Sequence, residues 1–158
     1  MSDQISYGEK RLHQELKHYI KEGAIEILED KALPPNYDFI FTDFFWRSDF
    51  IRWEVVPNSE HYQVKIPDKP EESRDFTIRT IEKYNLKGPV ILYGDALLDN
   101  TYRLDISLLP SVVWDFMPLP LCLYAVNPQE KWCFTYNMYK HLNFGYASEK
   151  IPKNNSAP

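Results

Sequence analysis

The sequence predicts an α+β fold: a single domain whose mostly antiparallel sheet of hairpins is covered by a long N-terminal helix and a second helix. Two observations lead to this prediction. Four strand-like segments flank two four-residue loops, a length common in hairpins. Two other segments repeat apolar residues at the period of a helix. The 158 residues suit one domain, expected over residues 1–151 and followed by a flexible polar tail at 152–158.

The first helix is predicted to begin at a capping box formed by Ser6 and Glu9 and to continue to about Asp30. Its apolar face consists of Leu12, Leu16, Tyr19, Ile20, Gly23 and Ile27. Pro34 and Pro35 then favour an extended chain. We therefore expect a buried strand over residues 39–41.

The first hairpin is predicted to join residues 49–56 to residues 61–66. Pairing Val56 with His61 places Trp53 opposite Val64 and makes one face of the hairpin entirely apolar. Burial of a single face is what specifies register, because a one-residue slip would mix the two faces. This register assigns Trp53 to the core.

The second hairpin is predicted to join residues 121–126 to residues 131–136, with Val126 opposite Lys131. One face then carries Leu121, Leu123, Ala125, Trp132, Phe134 and Tyr136. The reverse face carries Cys122, Tyr124, Cys133 and Thr135. The two cysteines are diagonal neighbours in this register, and we expect free thiols because cytosolic disulfides are rare.

A second helix is predicted to start near Asp68 and to end before Gly88. Its apolar face consists of Phe76, Thr77, Thr80, Ile81 and Tyr84. Residues 90–93 form a continuous apolar run, which is typical of a central strand covered on both faces. Residues 108–117 are compatible with a short helix or with irregular structure, and a last strand is expected at residues 144–146.

The composition limits the classes of partner. The net charge of −5 argues against a general nucleic-acid binder, which normally has a basic face, and is compatible with a basic protein partner. No segment has the roughly 20 apolar residues that span a bilayer, and the N-terminal residues lack an apolar signal segment. Two cysteines do not make a disulfide framework. We therefore expect a cytoplasmic protein that does not bind membranes.

The residue types that carry chemistry do not form a known motif. His13 and His18 are five residues apart, whereas a helical zinc pair needs a spacing of four. The five glycines are too scattered for a phosphate-binding loop. Asp95, with Asp99 or Asp105, follows the apolar run at 90–93 and could serve a small hydrolase or transferase. The alternative interpretation is that these aspartates stabilise turns of the chain. We expect no cofactor and no metal.

Aromatic and acidic residues are concentrated in one segment. Eight aromatic residues lie between Tyr37 and Trp53, interleaved with aspartates. Trp, Tyr and Arg often dominate the energy of protein interfaces, and charged residues surround them at the rim. Packing in the predicted core accounts for Trp46 less well than for the other rings. This segment and the acidic stretch after residue 93 are therefore predicted to bind a partner. The predicted partner-binding residues are Asp43, Phe44, Phe45, Trp46, Arg47, Asp49, Glu54, Asp95 and Asp99.

In general character the chain resembles bacterial toxin-immunity proteins of the contact-dependent or polymorphic toxin type. The likeness consists of a small, acidic, aromatic-rich single domain and of the hairpin at residues 121–136 followed by Phe144 and Gly145. The resemblance implies a non-catalytic module that neutralises a cognate, often basic, toxin domain. Two alternatives stay open from the residues: the hydrolase or transferase described above, and a structural subunit of a larger assembly.

Overall fold

The computed structural model describes residues 5–28, 44, 46–47, 50–66, 68–95 and 98–147. The strands in these ranges are β1 (Ile25–Leu28), β2 (Trp46–Arg47), β3 (Phe50–Ile51), β4 (Glu60–Gln63), β5 (Pro89–Gly94), β6 (Thr101–Asp105), β7 (Cys122–Asn127), β8 (Trp132–Asn137) and β9 (His141–Tyr146). Seven of these strands form one antiparallel sheet in the order β1-β6-β5-β7-β8-β9-β4, and β2 pairs with β3 in a separate ribbon.

Helices flank the sheet, and the fold is mixed α+β as predicted. The helices of the described ranges are α1 (Tyr7–Glu15), α2 (Lys17–Lys21), α3 (Glu71–Tyr84) and α4 (Leu109–Phe116). Short 3-10 turns occur at Trp53–Val55 and Ile106–Leu108. The predicted strand at 39–41 and the tail at 152–158 lie outside the described residues.

The long N-terminal helix is a wrong prediction. Its start is right, since the Ser6 hydroxyl oxygen accepts the Glu9 N–H at 3.1 Å. Two short helices then replace it, and Gly23 turns the chain with a left-handed φ of 78°, which glycine adopts at little cost. The following residues form β1, where Ile25 lies opposite Leu104 of β6. A distant strand therefore takes residues that the local pattern assigned to a helix.

The first predicted hairpin is also wrong. Trp53 lies in a 3-10 turn, and β4 pairs with β9 instead of with residues 49–56. Tyr62 of β4 lies opposite Leu142 in this pairing. With β4 paired to β9, the centroid of the Tyr62 ring lies 6.5 Å from the centroid of the Phe76 ring of α3. Pairing with β9 thus packs β4 against the main core, which a local hairpin would not do.

The second predicted hairpin exists, but its register is displaced by two residues. Val126 lies opposite Cys133 rather than Lys131. The turn begins one residue later because the Asn127 side-chain oxygen accepts the N–H groups of Gln129 and Glu130, at 3.0 and 2.9 Å. A two-residue displacement keeps every side chain on its predicted face. The cysteines are free, but this register removes the predicted diagonal contact.

The remaining elements agree with their predictions. The second helix is α3, which buries Phe76, Thr77 and Thr80, although Pro70 rather than Asp68 occupies the N-cap. The apolar run at residues 90–93 forms β5, an interior strand between β6 and β7, and the last strand is β9. Residues 109–116 are helical, with a proline in the first turn of α4. The two interpretations of that segment are thereby resolved in favour of the helix.

Each face of the sheet carries its own apolar core. The helices pack on one face, where Leu92, Leu123 and Phe134 meet Phe76 and Val112. The other face is covered by the segment that leads into β4. Phe44, Ile51 and Val56 of this segment belong to the core of this face, which we call the second core. Of the described residues in the aromatic segment, Phe44, Ile51 and Trp53 therefore pack on this face.

Candidate binding site

A cavity of about 420 Å³ opens beside the second core, between the 3-10 turn Trp53–Val55 and strands β4 and β9. Its apolar lining comes from Ile51 and Trp53. Its polar lining comes from Glu54, Ser59, His61, Asn137, His141 and Asn143. Ligand pockets typically have volumes of about 300–1,000 Å³ and combine apolar walls with a few polar groups. We call this space the Trp53 cavity.

The pairing of β4 with β9 assembles the polar wall of the Trp53 cavity. His61 lies opposite Asn143, and Gln63 lies opposite His141. The His61 and His141 rings stack with centroids 5.3 Å apart. Local sequence patterns did not single out these histidines as site residues, because only the strand pairing brings them together.

The amide of Asn143 fixes the orientation of His61. Its Nδ2 donates to the Thr135 hydroxyl oxygen at 3.4 Å, which leaves Oδ1 facing the imidazole. His61 Nδ1 lies 2.7 Å from that Oδ1, so Nδ1 is the atom that donates. The neutral ring therefore keeps Nε2 as a hydrogen-bond acceptor.

Trp53 forms a fixed wall of the cavity. Its ring is half-buried and packs against Phe44, with 5.7 Å between ring centroids. Gly145 of β9 allows this close approach, since an added Cβ would lie 2.8 Å from the indole and 2.9 Å from Val56. The second core thus determines where the indole lies.

Exposed apolar side chains lie next to the cavity in the β8–β9 turn. The Asn137 side-chain oxygen accepts the N–H groups of Tyr139 and His141, both at 3.0 Å, and so holds the turn. Met138 and Tyr139 are 48% and 61% exposed. Leu121 is also exposed, and its carbonyl accepts the Met138 N–H at 2.8 Å. This end of the sheet therefore presents apolar side chains to solvent.

The predicted acidic residues are positioned by backbone hydrogen bonds. Asp95 Oδ1 accepts the Leu121 N–H at 2.6 Å, which places this exposed carboxylate beside the apolar group. Asp99 Oδ2 accepts the Ser6 N–H at 2.9 Å. Asp105 lies at the opposite end of β6, where its carboxylate caps the following turn. The structure therefore separates Asp105 from Asp95, so these two carboxylates do not share a site as the hydrolase or transferase alternative with Asp105 would require.

The other predicted site residues have different positions. Glu54 lines the Trp53 cavity, and its Oε1 lies 3.2 Å from Arg52 Nε in an exposed ion pair. Phe44 is only 4% exposed, so its ring is part of the second core and not of the surface. Trp46 and Arg47 form β2. Asp43, Phe45 and Asp49 lie outside the described residues.

A second, smaller cavity of about 250 Å³ also has His61 in its lining and has a different charge. Arg79 and Lys83 of α3 line it, together with Glu60. The hydrogen bond from Lys83 lowers the pKa of Glu60, whereas burial raises the pKa of Tyr84 to about 12. The Trp53 cavity thus has one acid, Glu54, in its lining, whereas the smaller cavity has two cations and one acid.

A buried carboxylate lies outside both cavities. Glu9 is 0% exposed and accepts the N–H groups of Asp99 and Asn100, at 2.6 and 3.0 Å, as well as the hydroxyl of Tyr102. His13 Nε2 lies 2.7 Å from the same hydroxyl. Because Tyr102 donates to Glu9, the histidine is the donor in that contact. This network joins α1 to the β5–β6 loop and to β6.

Within the described ranges, no group of three or more His, Cys, Asp and Glu side chains is arranged to hold a metal ion. None of the described helices combines the length and the apolar character needed to cross a membrane. Comparison of the sequence with protein-family models and with curated proteins gives no match.

Proposed function

We propose that this protein is a non-catalytic, cytoplasmic protein-binding module that binds a basic partner domain, in the manner of an immunity protein that neutralises a toxin. The observation that carries the proposal is the combination of the Trp53 cavity with exposed Met138 and Tyr139 in the adjoining turn. A concave site beside projecting apolar side chains is the arrangement found at the energetic centres of protein interfaces.

Charge supports a basic partner. The net charge is −5, and two of the predicted acids are exposed: Glu54 lines the Trp53 cavity, and Asp95 lies beside the exposed Leu121. Acidic groups at the rim of an interface accelerate the encounter with a basic protein and favour it over acidic competitors. The proposal therefore assigns Glu54 and Asp95 to steering and Met138 and Tyr139 to close contact.

The nucleophile and acid candidates of the described residues support a non-catalytic role. Asp95 and Asp99 each accept a backbone N–H. Cys122 and Cys133 are buried, and burial raises the pKa of both thiols, so neither is an activated nucleophile. These groups have structural surroundings rather than those of a reacting centre.

The experiment is co-expression with the product of the neighbouring gene, with growth and complex formation as readouts. If that product is a toxin, we expect this protein to restore growth and to co-elute with the toxin at a fixed stoichiometry. The variant Tyr139→Ala should weaken the complex. Tyr7→Ala is the control, since Tyr7 is also exposed but lies in α1, and it should leave the complex unchanged. Growth arrest unrelieved by the folded protein, with no complex, would refute the proposal.

A further inference from the structure

We infer that the Trp53 cavity binds the guanidinium group of an arginine side chain of the basic partner. The inference rests on the proposed function and deepens it, because it names the chemical group that the site recognises. The cavity has aromatic rings in its walls, hydrogen-bond acceptors on its lining side chains and one formal negative charge, that of Glu54.

The walls suit a planar group. Trp53 provides one aromatic wall, and the stacked rings of His61 and His141 provide a second. A guanidinium is planar and weakly hydrated, and it stacks on aromatic faces more readily than a lysine ammonium does. A cation over an indole is further stabilised by the quadrupole of the ring. The geometry therefore favours arginine over lysine.

The polar groups suit a ligand that only donates. A guanidinium has five N–H donors and no acceptor. Glu54 contributes a carboxylate to the cavity, and His61 Nε2 is an acceptor because Nδ1 donates to Asn143. Ser59 donates its hydroxyl to the Trp53 carbonyl at 3.3 Å, so its oxygen retains acceptor capacity. The 3-10 turn and β4 thus both contribute lining side chains that carry acceptor atoms.

The charge of the cavity selects a cation. When the histidines are neutral, Glu54 alone among the described lining residues carries a formal charge. Arg52 contacts Glu54 with side chains that are 38% and 54% exposed, and ion pairs this open to solvent contribute little. The neighbouring cavity has Arg79 and Lys83 against the single acid Glu60 in its lining, so its formal charge is positive and disfavours a cation. The two cavities around His61 therefore predict opposite ligand preferences, and only the Trp53 cavity suits arginine.

The test is an NMR titration of the full-length protein at pH 8, where histidine side chains are ordinarily neutral. The probe is N-acetyl-arginine methylamide, and its neutral isostere, N-acetyl-citrulline methylamide, is the ligand control. We expect saturable shifts of the Trp53 indole N–H and of the imidazole signals with arginine and none with citrulline. The Trp53→Phe variant assigns the indole signal among the four tryptophans.

Two glutamate variants distinguish binding at the Trp53 cavity from non-specific electrostatic attraction to the protein. Glu54→Gln should weaken arginine binding by about threefold to tenfold, since it removes the charge and keeps the shape of the side chain. Glu130→Gln removes another exposed negative charge, in the β7–β8 turn, and should leave binding unchanged. Equal weakening by both variants would mean non-specific attraction and would overturn the inference.

The outcomes distinguish the inference from the function on which it rests. Identical shifts with arginine and citrulline, or no shift at the Trp53 cavity, overturn the arginine site even if the partner complex forms. Specific arginine binding without any complex or growth rescue overturns the proposed function and leaves the guanidinium site standing.

Discussion

The Tyr102 hydroxyl donates a hydrogen bond to the buried carboxylate of Glu9, although 93 residues separate them in the sequence. Burial is the main reason that the pKa of Tyr102 is raised, and the bond to Glu9 raises it further. The tyrosine therefore stays protonated and remains a donor. This contact fixes the first helix on the sheet, and two predictions follow from it.

Replacing Glu9 with alanine should lower the free energy of unfolding by about 2–4 kcal/mol, because two N–H groups and a hydroxyl lose their charged acceptor. Urea denaturation monitored by circular dichroism measures the change. Glu15→Ala is the matched control on the same helix. It removes an exposed glutamate that pairs with Arg11, and it should change stability by less than about 0.5 kcal/mol. Similar losses in both variants would contradict the structural role of Glu9.

His13 should make stability depend on pH in the weakly acidic range. Burial lowers the pKa of His13 from its usual 6.5, and the nearby Glu9 only partly offsets this effect. The unfolded chain then binds a proton at higher pH than the folded chain does. The contribution of His13 to the stability of the folded protein is therefore fully present above pH 6.5 and is lost as the pH falls through the lowered pKa.

Thermal or urea unfolding between pH 7 and pH 5 checks this dependence in three proteins. We expect the slope of stability against pH to flatten in His13→Gln. His18→Gln changes an exposed histidine of the neighbouring helix α2 and should retain the slope of the unmodified protein. An unchanged slope in His13→Gln would exclude His13 as its source.

The thiols should be unreactive in the folded protein. Burial raises the pKa of Cys122 to about 12 and the pKa of Cys133 well above its usual value. Thiolate is the reactive form, so Ellman's reagent at pH 8 should modify neither cysteine in native buffer and both in denaturant. Rapid modification of one thiol under native conditions would mean that the second core opens far more readily than its packing implies.

Gly145→Ala should displace Trp53. The added methyl group would meet the indole at 2.8 Å and Val56 at 2.9 Å, and such overpacking costs about 1–3 kcal/mol. The variant should also shift the Trp53 indole N–H signal. Gly94→Ala is the control, since its methyl group would clash with Pro120 at 2.5 Å, away from the Trp53 cavity. It should destabilise the protein without moving that signal.

Asp95 should accelerate association with the basic partner. Asp95→Asn keeps an oxygen for the Leu121 N–H and removes only the charge, so we expect the association rate at low salt to fall by about twofold to fivefold. Asp105→Asn is the matched control, because this carboxylate also caps a backbone N–H but lies at the other end of β6. Stopped-flow measurements at several salt concentrations should show a weaker salt dependence for Asp95→Asn alone.

Much of the candidate site could not be predicted from the sequence. The aromatic and acidic composition directed attention to Glu54 and to its neighbours, and Glu54 does line the cavity. His61 and His141 were missed because they are separated by 80 positions and meet only through the β4–β9 pairing. Phe44 was selected for its ring, but apolar residues covering a sheet and apolar residues exposed for binding have the same local pattern.

The sequence by itself determined the fold class, α3, the interior strand β5, and which side chains of β7 and β8 share a face. These features depend on local periodicity, and the two-residue displacement of the hairpin preserves them because side chains alternate with a period of two. The tertiary structure decided the rest: that β1 is a strand, that β4 pairs with β9, and that a cavity forms at their junction. Strand pairing between distant segments depends on which surfaces the whole chain can bury together, and no local pattern encodes that choice.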